Sequence, residues 1–376
     1  MAGAALSEGK AVALFPSARR VDLVQPPRLE GLQVGNVRVR TLRVGFCATD
    51  REMVEGALAE PPAGFDYLVL GHELVGLVEE VGPGVTGLAE GDCVVAAIRQ
   101  GCRDCAACLA GRPDFCSSDG FLEHGIRRLH GFAQPRVDIE AAALVRIEPE
   151  LASFAFLAEP LSVVEKAMDQ VQALRGRLPA ATGEPLRAVV AGAGTVGLLA
   201  VQLLAALGSS VTVIDRRAET SLNAHLARRA GASYVRLDAA DLWDWRPEAP
   251  FDIALECSGS SSAALGLMRH LGQAGSMVWI GIPLQAGNHH VPSDALVSDS
   301  VLRQHALIAT VNASTEHVRR AAADLSRIAP LGIVQRMVTD VLTPADFAQA
   351  LESSDEAIKV AVEFAPLPSP VGVEVA

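Results

Sequence analysis

Residues 188–207 read AVVAGAGTVGLLAVQLLAAL, and this stretch decides between two folds. It is almost wholly apolar and long enough to span a bilayer as a helix. However, Gly192, Gly194 and Gly197 lie in its first half, where glycines weaken a helix. A β-branched run, VTVID at 211–215, follows after a short break. We therefore predict a strand, a tight turn, a helix and a second strand, and no membrane span.

The turn carries a dinucleotide-binding pattern. Its glycines are spaced G-x-G-x-x-G, with Thr195 and Val196 between the second and the third. The first glycine allows the tight turn, the second lets a pyrophosphate approach the backbone, and the third lets helix and strand pack closely. The helix N-terminus offers free N–H groups to the phosphates. Asp215 ends the next strand, where an acidic residue binds the ribose hydroxyls. The alternative is a glycine-rich packing turn.

The residues after this strand bear on the choice of cofactor. A carboxylate at Asp215 accepts hydrogen bonds from both ribose hydroxyls of NAD and repels a 2′-phosphate. Arg216 and Arg217 follow directly and would attract that phosphate, unless they are only solvated surface arginines. The pattern favours NAD and leaves NADP possible.

The two halves of the chain differ in their pattern. From 187 onward, strand-like and helix-like segments alternate, which is typical of a doubly wound parallel sheet covered by helices. The first half reads instead as short strands with glycine and proline turns, such as 36–46, 74–82 and 91–98. Residues 177–185 read as a linker, and 366–376 as an extended tail. The predicted fold class is α/β, with a second, β-rich part.

Composition excludes some classes of partner. The net charge of −12 and the absence of a dense basic stretch argue against nucleic-acid binding. The first residues lack a basic segment followed by a long apolar core, so we expect no signal peptide, a cytoplasmic location and reduced thiols.

Residues 101–116, GCRDCAACLAGRPDFC, hold four of the seven cysteines. Four thiolates at this spacing would ligate zinc or an iron–sulfur cluster, although the bacterial ferredoxin spacing differs. A closed tetrahedral site leaves no open position for a substrate, so the prediction is structural zinc. The alternative is a metal-free reduced loop. The four residues are Cys102, Cys105, Cys108 and Cys116.

Three other stretches contain residue types that bind metals. They are GFCATD at 45–50, LGHELVG at 70–76 and LAEPLSVVEKA at 157–167. Each is weak evidence alone. A catalytic zinc needs about three protein ligands and one open position. Cys47, His72 and a carboxylate would supply those ligands.

The order of these motifs resembles the zinc-dependent medium-chain dehydrogenase/reductase superfamily. The cysteine loop lies between the second and third stretches, and the glycine turn follows them. Shorter stretches are similar to the glucose (aldose) 1-dehydrogenase branch: GRPDFC at 111–116, HGF at 130–132, EKA at 165–167 and VNA at 311–313.

The resemblance implies a domain division and an assembly. A GroES-like catalytic domain would comprise 1–182 and 313–376, with the strand at 358–364 returning to it. A Rossmann NAD(P)-binding domain would comprise 183–312. It also implies two zinc ions per chain and a homodimer or homotetramer.

The resemblance further implies roles for matching residues. Cys47 and His72, with Glu159 or Glu73, would bind the catalytic zinc. Asp50 would orient His72 by fixing its tautomer. Thr49 would start the proton relay.

Two further positions match residues that face the sugar and the nicotinamide. These are Glu123 and Asn312, whose alternative interpretations are a solvated surface acid and a cap at a strand end.

The implied reaction is transfer of hydride from C1 of an aldose such as D-glucose to NAD(P)+, which yields the lactone. Ile98 and Val163 replace polar sugar-contacting residues of some relatives, which weakens the case for strict glucose specificity. The alternatives are a sorbitol- or threonine-dehydrogenase-like enzyme, a zinc-free reductase of the same fold, a thiol redox sensor and a non-catalytic NAD(P)-binding protein.

Overall fold

The computed structural model describes residues 9–176, 178, 185–283, 291–352 and 356–368. Most of the predicted linker at 177–185 and of the tail at 366–376 lies outside the described residues. The chain divides into two compact units. Unit 1 comprises 1–162, 312–327 and 335–376, and unit 2 comprises 163–311 and 328–334.

Unit 1 is built mainly from antiparallel strands. Its strands are β1 Ala11–Phe15, β2 Arg20–Val24, β3 Asn36–Phe46, β4 Leu68–Val69, β5 Glu73–Val81, β6 Cys93–Ala96, β7 Arg99–Gln100, β8 Leu122–His124, β9 Arg128–Leu129, β10 Arg136–Glu140, β11 Leu144–Ile147, β18 Val338–Leu342 and β19 Lys359–Glu363.

The largest sheet of unit 1 has the order β11-β6-β5-β3-β19-β18, with β10 also paired to β3. The C-terminal strand β19 lies directly beside β3 and antiparallel to it. Two three-stranded sheets, β2-β1-β4 and β7-β8-β9, complete the strands. The core holds the apolar faces of these strands, with Leu14, Val44, Leu70 and Phe132 among its fully buried members.

The helices of both units are mostly short. They are α1 Ala48–Val54, α2 Ala106–Leu109, α3 Ala158–Arg175, α4 Thr195–Ala206, α5 Leu222–Arg229, α6 Ser261–Met268, α7 Ser293–Leu302, α8 Thr315–Ile328, α9 Val334–Met337 and α10 Phe347–Leu351. Helix α5 begins at Leu222, because the Ser221 hydroxyl accepts from the Ala224 N–H and caps its start.

Unit 2 contains a six-stranded parallel sheet. Its strands are β12 Arg187–Ala191, β13 Ser210–Asp215, β14 Ser233–Arg236, β15 Phe251–Glu256, β16 Leu271–Trp279 and β17 Ala306–Ala309. The order is β14-β13-β12-β15-β16-β17, and all neighbours are parallel. This is the Rossmann order, whose chain reverses direction across the sheet between β12 and β15. The α/β fold with a β-rich unit is therefore confirmed.

The apolar stretch at 188–207 forms a strand and a helix. Strand β12 ends at Ala191, Gly192 has φ +94°, and α4 begins at Thr195. Among the described residues, no helix combines the length and the hydropathy that a membrane crossing requires.

Candidate active site and cofactor turn

The glycine turn after β12 has the close contacts that the pattern predicts. A Cβ added to Gly197 would lie 1.8 Å from the Gly192 carbonyl oxygen, so helix and turn pack too closely for any side chain. A Cβ on Gly194 would meet nothing within 4 Å. The space beside Gly194 is therefore open to a ligand, whereas Gly197 serves packing. Thr195 and Val196 are half-buried in the first turn of α4.

Asp215 is held at the end of β13 by this same turn. Its Oδ2 accepts from the Ala193 N–H at 2.7 Å, and its Oδ1 accepts from the Arg217 N–H at 2.8 Å. The Arg217 guanidinium also pairs with the carboxylate, at 3.1 Å from Oδ2. Arg216 is exposed. Asn223, which sequence reasoning missed, donates to the Ala193 carbonyl at 2.7 Å and braces the turn.

The four clustered cysteines bring their sulfurs together. The Sγ atoms of Cys102 and Cys108 are 3.9 Å apart, and those of Cys105 and Cys116 are 4.0 Å apart. A tetrahedral zinc with Zn–S bonds of about 2.3 Å separates its sulfurs by about 3.8 Å. A disulfide needs about 2.05 Å. The four thiols therefore fit one closed zinc site.

The loop around these cysteines favours the thiolate form of Cys105. Hydrogen bonds from the backbone at Cys108 and Ser117 lower the pKa of Cys105 to about 5. The Cys105 N–H also lies 3.3 Å from the Cys102 sulfur. Gly101 approaches the cluster so closely that a Cβ would lie 2.4 Å from Cys108 Sγ.

A second cluster of metal-ligating groups surrounds His72. Cys47 Sγ lies 3.1 Å from His72 Nε2, and Asp50 Oδ1 lies 3.6 Å from His72 Nδ1. Ligand atoms of His72, Glu73 and Glu159 lie within 4.8 Å of one another, as do those of Cys47, Asp50 and His72. All of these residues belong to unit 1.

Local structure explains how Cys47 and Asp50 reach His72. Cys47 caps α1, where its sulfur lies 3.3 Å from the Thr49 N–H that donates to it. The Asp50 Oδ2 accepts from the Cys47 N–H at 2.9 Å. This reciprocal cap leaves the second Asp50 oxygen facing the His72 ring.

The electrostatics of the cluster favour a cation. Burial lowers the pKa of His72, but the charges of Cys47 and Asp50 raise it more, so the net pKa is well above the usual histidine value. Burial raises the pKa of Glu159 to about 7, and His72 opposes that shift. Anionic groups gathered around one imidazole, away from bulk water, form a suitable donor set for zinc.

Lys359 is the main member of the site that sequence reasoning missed. Its Nζ lies 2.6 and 2.7 Å from the two oxygens of Glu73, and both side chains are 1% exposed. Burial lowers the pKa of Lys359, but Glu73 raises it above the usual value. The sequence does contain a signal for this residue, since the apolar strand segment IKVAVEF includes a lysine. A buried lysine needs an anionic partner.

Glu123 and Asn312 are both buried. Glu123 lies in β8 and accepts from Arg99 at 2.8 Å. Asn312 is 5% exposed with φ +48°, and among the described residues neither of its amide atoms has a hydrogen-bond partner. A buried amide without a partner indicates a missing ligand group. For Glu123, burial removes the alternative of a solvated surface acid.

Comparison with known proteins identifies the family. Residues 33–149 match the alcohol dehydrogenase GroES-like domain, and residues 152–364 match the glucose dehydrogenase C-terminus. A glucose 1-dehydrogenase from Methanocella arvoryzae is 34% identical over 94% of this chain and 99% of its own length. The enzyme from Thermoproteus tenax is 36% identical over 88% of this chain and 92% of its own.

The chain belongs to the glucose 1-dehydrogenase family. The solved structure of Haloferax mediterranei glucose dehydrogenase in complex with NADP, Zn and gluconolactone is similar, with a TM-score of 0.85 and 30% identity. That comparison covers 95% of this chain and 99% of the other. The predicted membership of the zinc-dependent medium-chain superfamily is confirmed.

The second and third glycines of the cofactor turn, Gly194 and Gly197, should differ in the effect of an added methyl group. Gly197→Ala should lower the melting temperature, because its Cβ meets the Gly192 backbone. Gly194→Ala should leave the melting temperature within about 2 °C of wild type and weaken NAD(P) binding, because its Cβ enters open space beside the turn. Calorimetry and fluorescence titration with cofactor measure the two effects. Equal loss of stability in both variants contradicts this division.

Gly101→Ala should weaken the four-cysteine site. The added Cβ would meet Cys108 Sγ, and overpacking of this kind costs about 1–3 kcal/mol. We expect faster zinc release to a chromogenic chelator. Gly120→Ala in the same lobe is the control, because its nearest neighbour, Ser118 Oγ, is 3.2 Å away and can rotate. Identical release from both variants would show that the close approach at Gly101 does not matter.

Proposed function

We propose that this chain is a zinc-dependent glucose 1-dehydrogenase, which oxidises C1 of an aldose such as D-glucose with NAD(P)+ and forms the lactone. The observation that carries the proposal is the cluster at His72, where a thiol sulfur lies 3.1 Å from the imidazole and the carboxylates of Asp50, Glu73 and Glu159 lie close by. Two relatives, 34% and 36% identical to this chain, are named as glucose 1-dehydrogenases. The bound gluconolactone of the Haloferax structure is the product of this reaction.

We propose Cys47, His72 and Glu159 as the ligands of the catalytic zinc. Both carboxylate oxygens of Glu73 accept hydrogen bonds from Lys359, so the negative charge of Glu73 is already compensated. Among the described residues no cation forms an ion pair with Glu159, and its pKa is raised to about 7 mainly by burial, although His72 and Lys359 oppose that shift. This contrast supports Glu159 as the third ligand. Glu73 would then act beside the metal through its hydrogen bonds and charge.

The neighbouring residues hold this donor set in place. Asp50 Oδ1 lies 3.6 Å from Nδ1 of His72, which would keep the ring proton on Nδ1 and leave the Nε2 lone pair, on the Cys47 side, for a metal. Bound there, zinc would supply Lewis-acid polarisation of the substrate oxygen. The Thr49 hydroxyl is half-buried beside Cys47, and we assign to it the first step of proton transfer away from the substrate oxygen.

The cofactor turn would bind NAD(P) through Gly192, Gly194, Thr195, Val196 and Gly197, and the nicotinamide accepts the hydride. Asp215 is positioned for the ribose. Arg217 pairs with it and lowers its repulsion of a 2′-phosphate, which supports use of both NAD+ and NADP+. Arg216 is exposed next to it and would contact that phosphate. The unpartnered amide of Asn312 would bind the nicotinamide or the sugar.

Two apolar positions affect the range of sugars that the enzyme would accept. Ile98 is 5% exposed and belongs to the core, so it offers no hydrogen bond to a sugar. Val163 is likewise apolar. With fewer hydroxyl partners, the enzyme should accept several aldoses rather than glucose alone.

The domain division and the assembly are further proposals. We propose the domains 1–182 with 313–376, and 183–312; this division differs from the two compact units, in which unit 2 begins at 163 and also includes 328–334. Strand β17 is the edge of its sheet, and exposed apolar residues lie on it and on α7: Val297, Val301, Leu302 and Leu307. An uncovered apolar edge supports a homodimer or homotetramer. We place the enzyme in the cytoplasm, acting on small molecules.

A substrate panel tests the proposed reaction. Zinc-loaded protein is assayed with glucose, galactose, sorbitol, threonine and simple alcohols, with NAD+ and NADP+ in parallel. We expect aldose oxidation at C1 with both cofactors and two zinc ions per chain. Cys47→Ala should lose activity by at least about 100-fold and retain one zinc, because a metal ligand is removed.

Cys93→Ala is the matched control, since Cys93 is a core residue of β6 in the same sheet. It should retain both zinc ions and turnover. Oxidation of sorbitol or threonine without any aldose would assign the chain to another alcohol dehydrogenase. Cofactor binding without turnover after zinc loading would refute an enzymatic role.

A further inference from the structure

Arg99 and Glu123 form a nearly buried ion pair in the small sheet of unit 1. The two residues are direct partners in the antiparallel register of β7 and β8. Both Nε and Nη2 of Arg99 lie 2.8 Å from Oε1 of Glu123. Each side chain is only 11% exposed. A pair removed from water in this way is rigid, because within the described residues neither side chain has a second ion-pair partner.

The guanidinium of Arg99 is held from its other side. It lies over the ring of Phe121, with Cζ 4.1 Å from the ring centroid. Arg127 contacts the same ring at 4.3 Å and is itself paired with Glu60 and Asp119. Such cation–π contacts are worth more where water is excluded. Arg99 is therefore held by a contact besides its pair with Glu123.

The loop that follows Glu123 is locked to the turn before His72. The Phe132 N–H donates to the Gly71 carbonyl at 2.8 Å. A Cβ on Gly125 would lie 2.6 Å from the Gly71 oxygen, and one on Gly131 would lie 2.4 Å from it. The backbones touch directly, so Glu123 is held close to the His72 cluster. Its negative charge is one of the groups that raise the pKa of Glu159.

The two oxygens of Glu123 have different surroundings. The Nε of Arg99 donates to Oε1 and its Nη2 lies 2.8 Å from the same oxygen, and within the described part of the chain no residue donates to Oε2. An ionised carboxylate oxygen is a strong acceptor for a neutral hydroxyl. Leaving it without a donor when a smaller substrate binds costs free energy.

We propose that Arg99 positions Glu123 so that Oε2 accepts one hydroxyl of the sugar, and that this pair selects an aldose over a simple alcohol. The inference rests on the proposed function, and it adds a positioning residue to the expectation that Glu123 faces the sugar. A simple secondary alcohol has no second hydroxyl to offer and would leave Oε2 unpaired.

Kinetics of Arg99 variants test this inference. Arg99→Gln should raise KM for glucose about tenfold or more, since hydrogen bonds to charged groups are worth about 1.5–3 kcal/mol, and should change kcat little. Arg99→Lys keeps the charge without the planar fork, so its KM should lie between those of wild type and Arg99→Gln. Arg128→Gln is the matched control: it removes a nearby arginine that pairs with Glu60 and not with Glu123.

Deoxy sugars separate positioning from general damage. With the deoxyglucose that lacks the accepted hydroxyl, wild type should already bind weakly, and Arg99→Gln should cause no further loss. With the other deoxyglucoses, the increase in KM should persist. Glu123→Gln should show the same selectivity, and its combination with Arg99→Gln should be no worse than the single changes.

Unchanged KM in Arg99→Gln, or equal losses with every deoxy sugar, would overturn the inference. If Arg99→Gln does not fold, Arg99→Lys decides the same comparison. Wild-type protein that oxidises no aldose contradicts the proposed function itself. Wild-type protein that oxidises glucose while Arg99→Gln and Arg128→Gln behave alike contradicts only the role of Arg99.

Discussion

The buried ion pair between Lys359 and Glu73 connects the candidate site at His72 to the central sheet of unit 1. Lys359 lies on β19 and Glu73 on β5, and β3 runs between these strands. The two side chains meet over Gly45 of β3, where a Cβ would lie 2.1 Å from Glu73 Oε2. Lys359 also donates to the Phe46 carbonyl at 3.2 Å. The pair therefore needs a glycine on the middle strand and a C-terminal strand that returns to the sheet.

This arrangement places the proposed zinc ligands Cys47 and His72 at one end of neighbouring strands. Cys47 follows the last residue of β3, and His72 precedes the first residue of β5. A shift of either strand would separate the sulfur from the imidazole, which lie 3.1 Å apart. Breaking a buried ion pair leaves an uncompensated charge and costs about 3–5 kcal/mol. The cysteine lobe stabilises a loop elsewhere, so its four thiolates and the reactive site are separate structures.

The sequence predicts features that depend on local backbone geometry. The roles of Gly192 and Gly197 and the position of Asp215 follow from spacing along one strand–turn–helix segment, and the structure has them as expected. The strand at 358–364 was also predictable, because its apolar run is distinct. Strand β18 was not predicted, since its residues are largely half-exposed and lack a clear alternation.

Features that depend on contacts between distant segments were not predictable from one sequence. The partner of Glu73 lies 286 positions away, so the sequence left open whether Glu73 or Glu159 completes the metal site. The pairing of Arg99 with Glu123 depends on the register of two very short strands. Asn223 binds the cofactor turn through a side chain 30 positions from Ala193. In each case the residue type was visible, but its partner was not.

A double-mutant cycle measures whether Lys359 and Glu73 stabilise the sheet as a pair. The melting temperatures of wild type, Lys359→Met, Glu73→Gln and the double variant are measured by calorimetry with zinc in excess. Each single change should lower the melting temperature strongly, because it leaves one buried charge alone. The double variant should lose clearly less than the sum of the two. Additive losses would contradict the account, since they would mean that the two side chains stabilise the sheet independently.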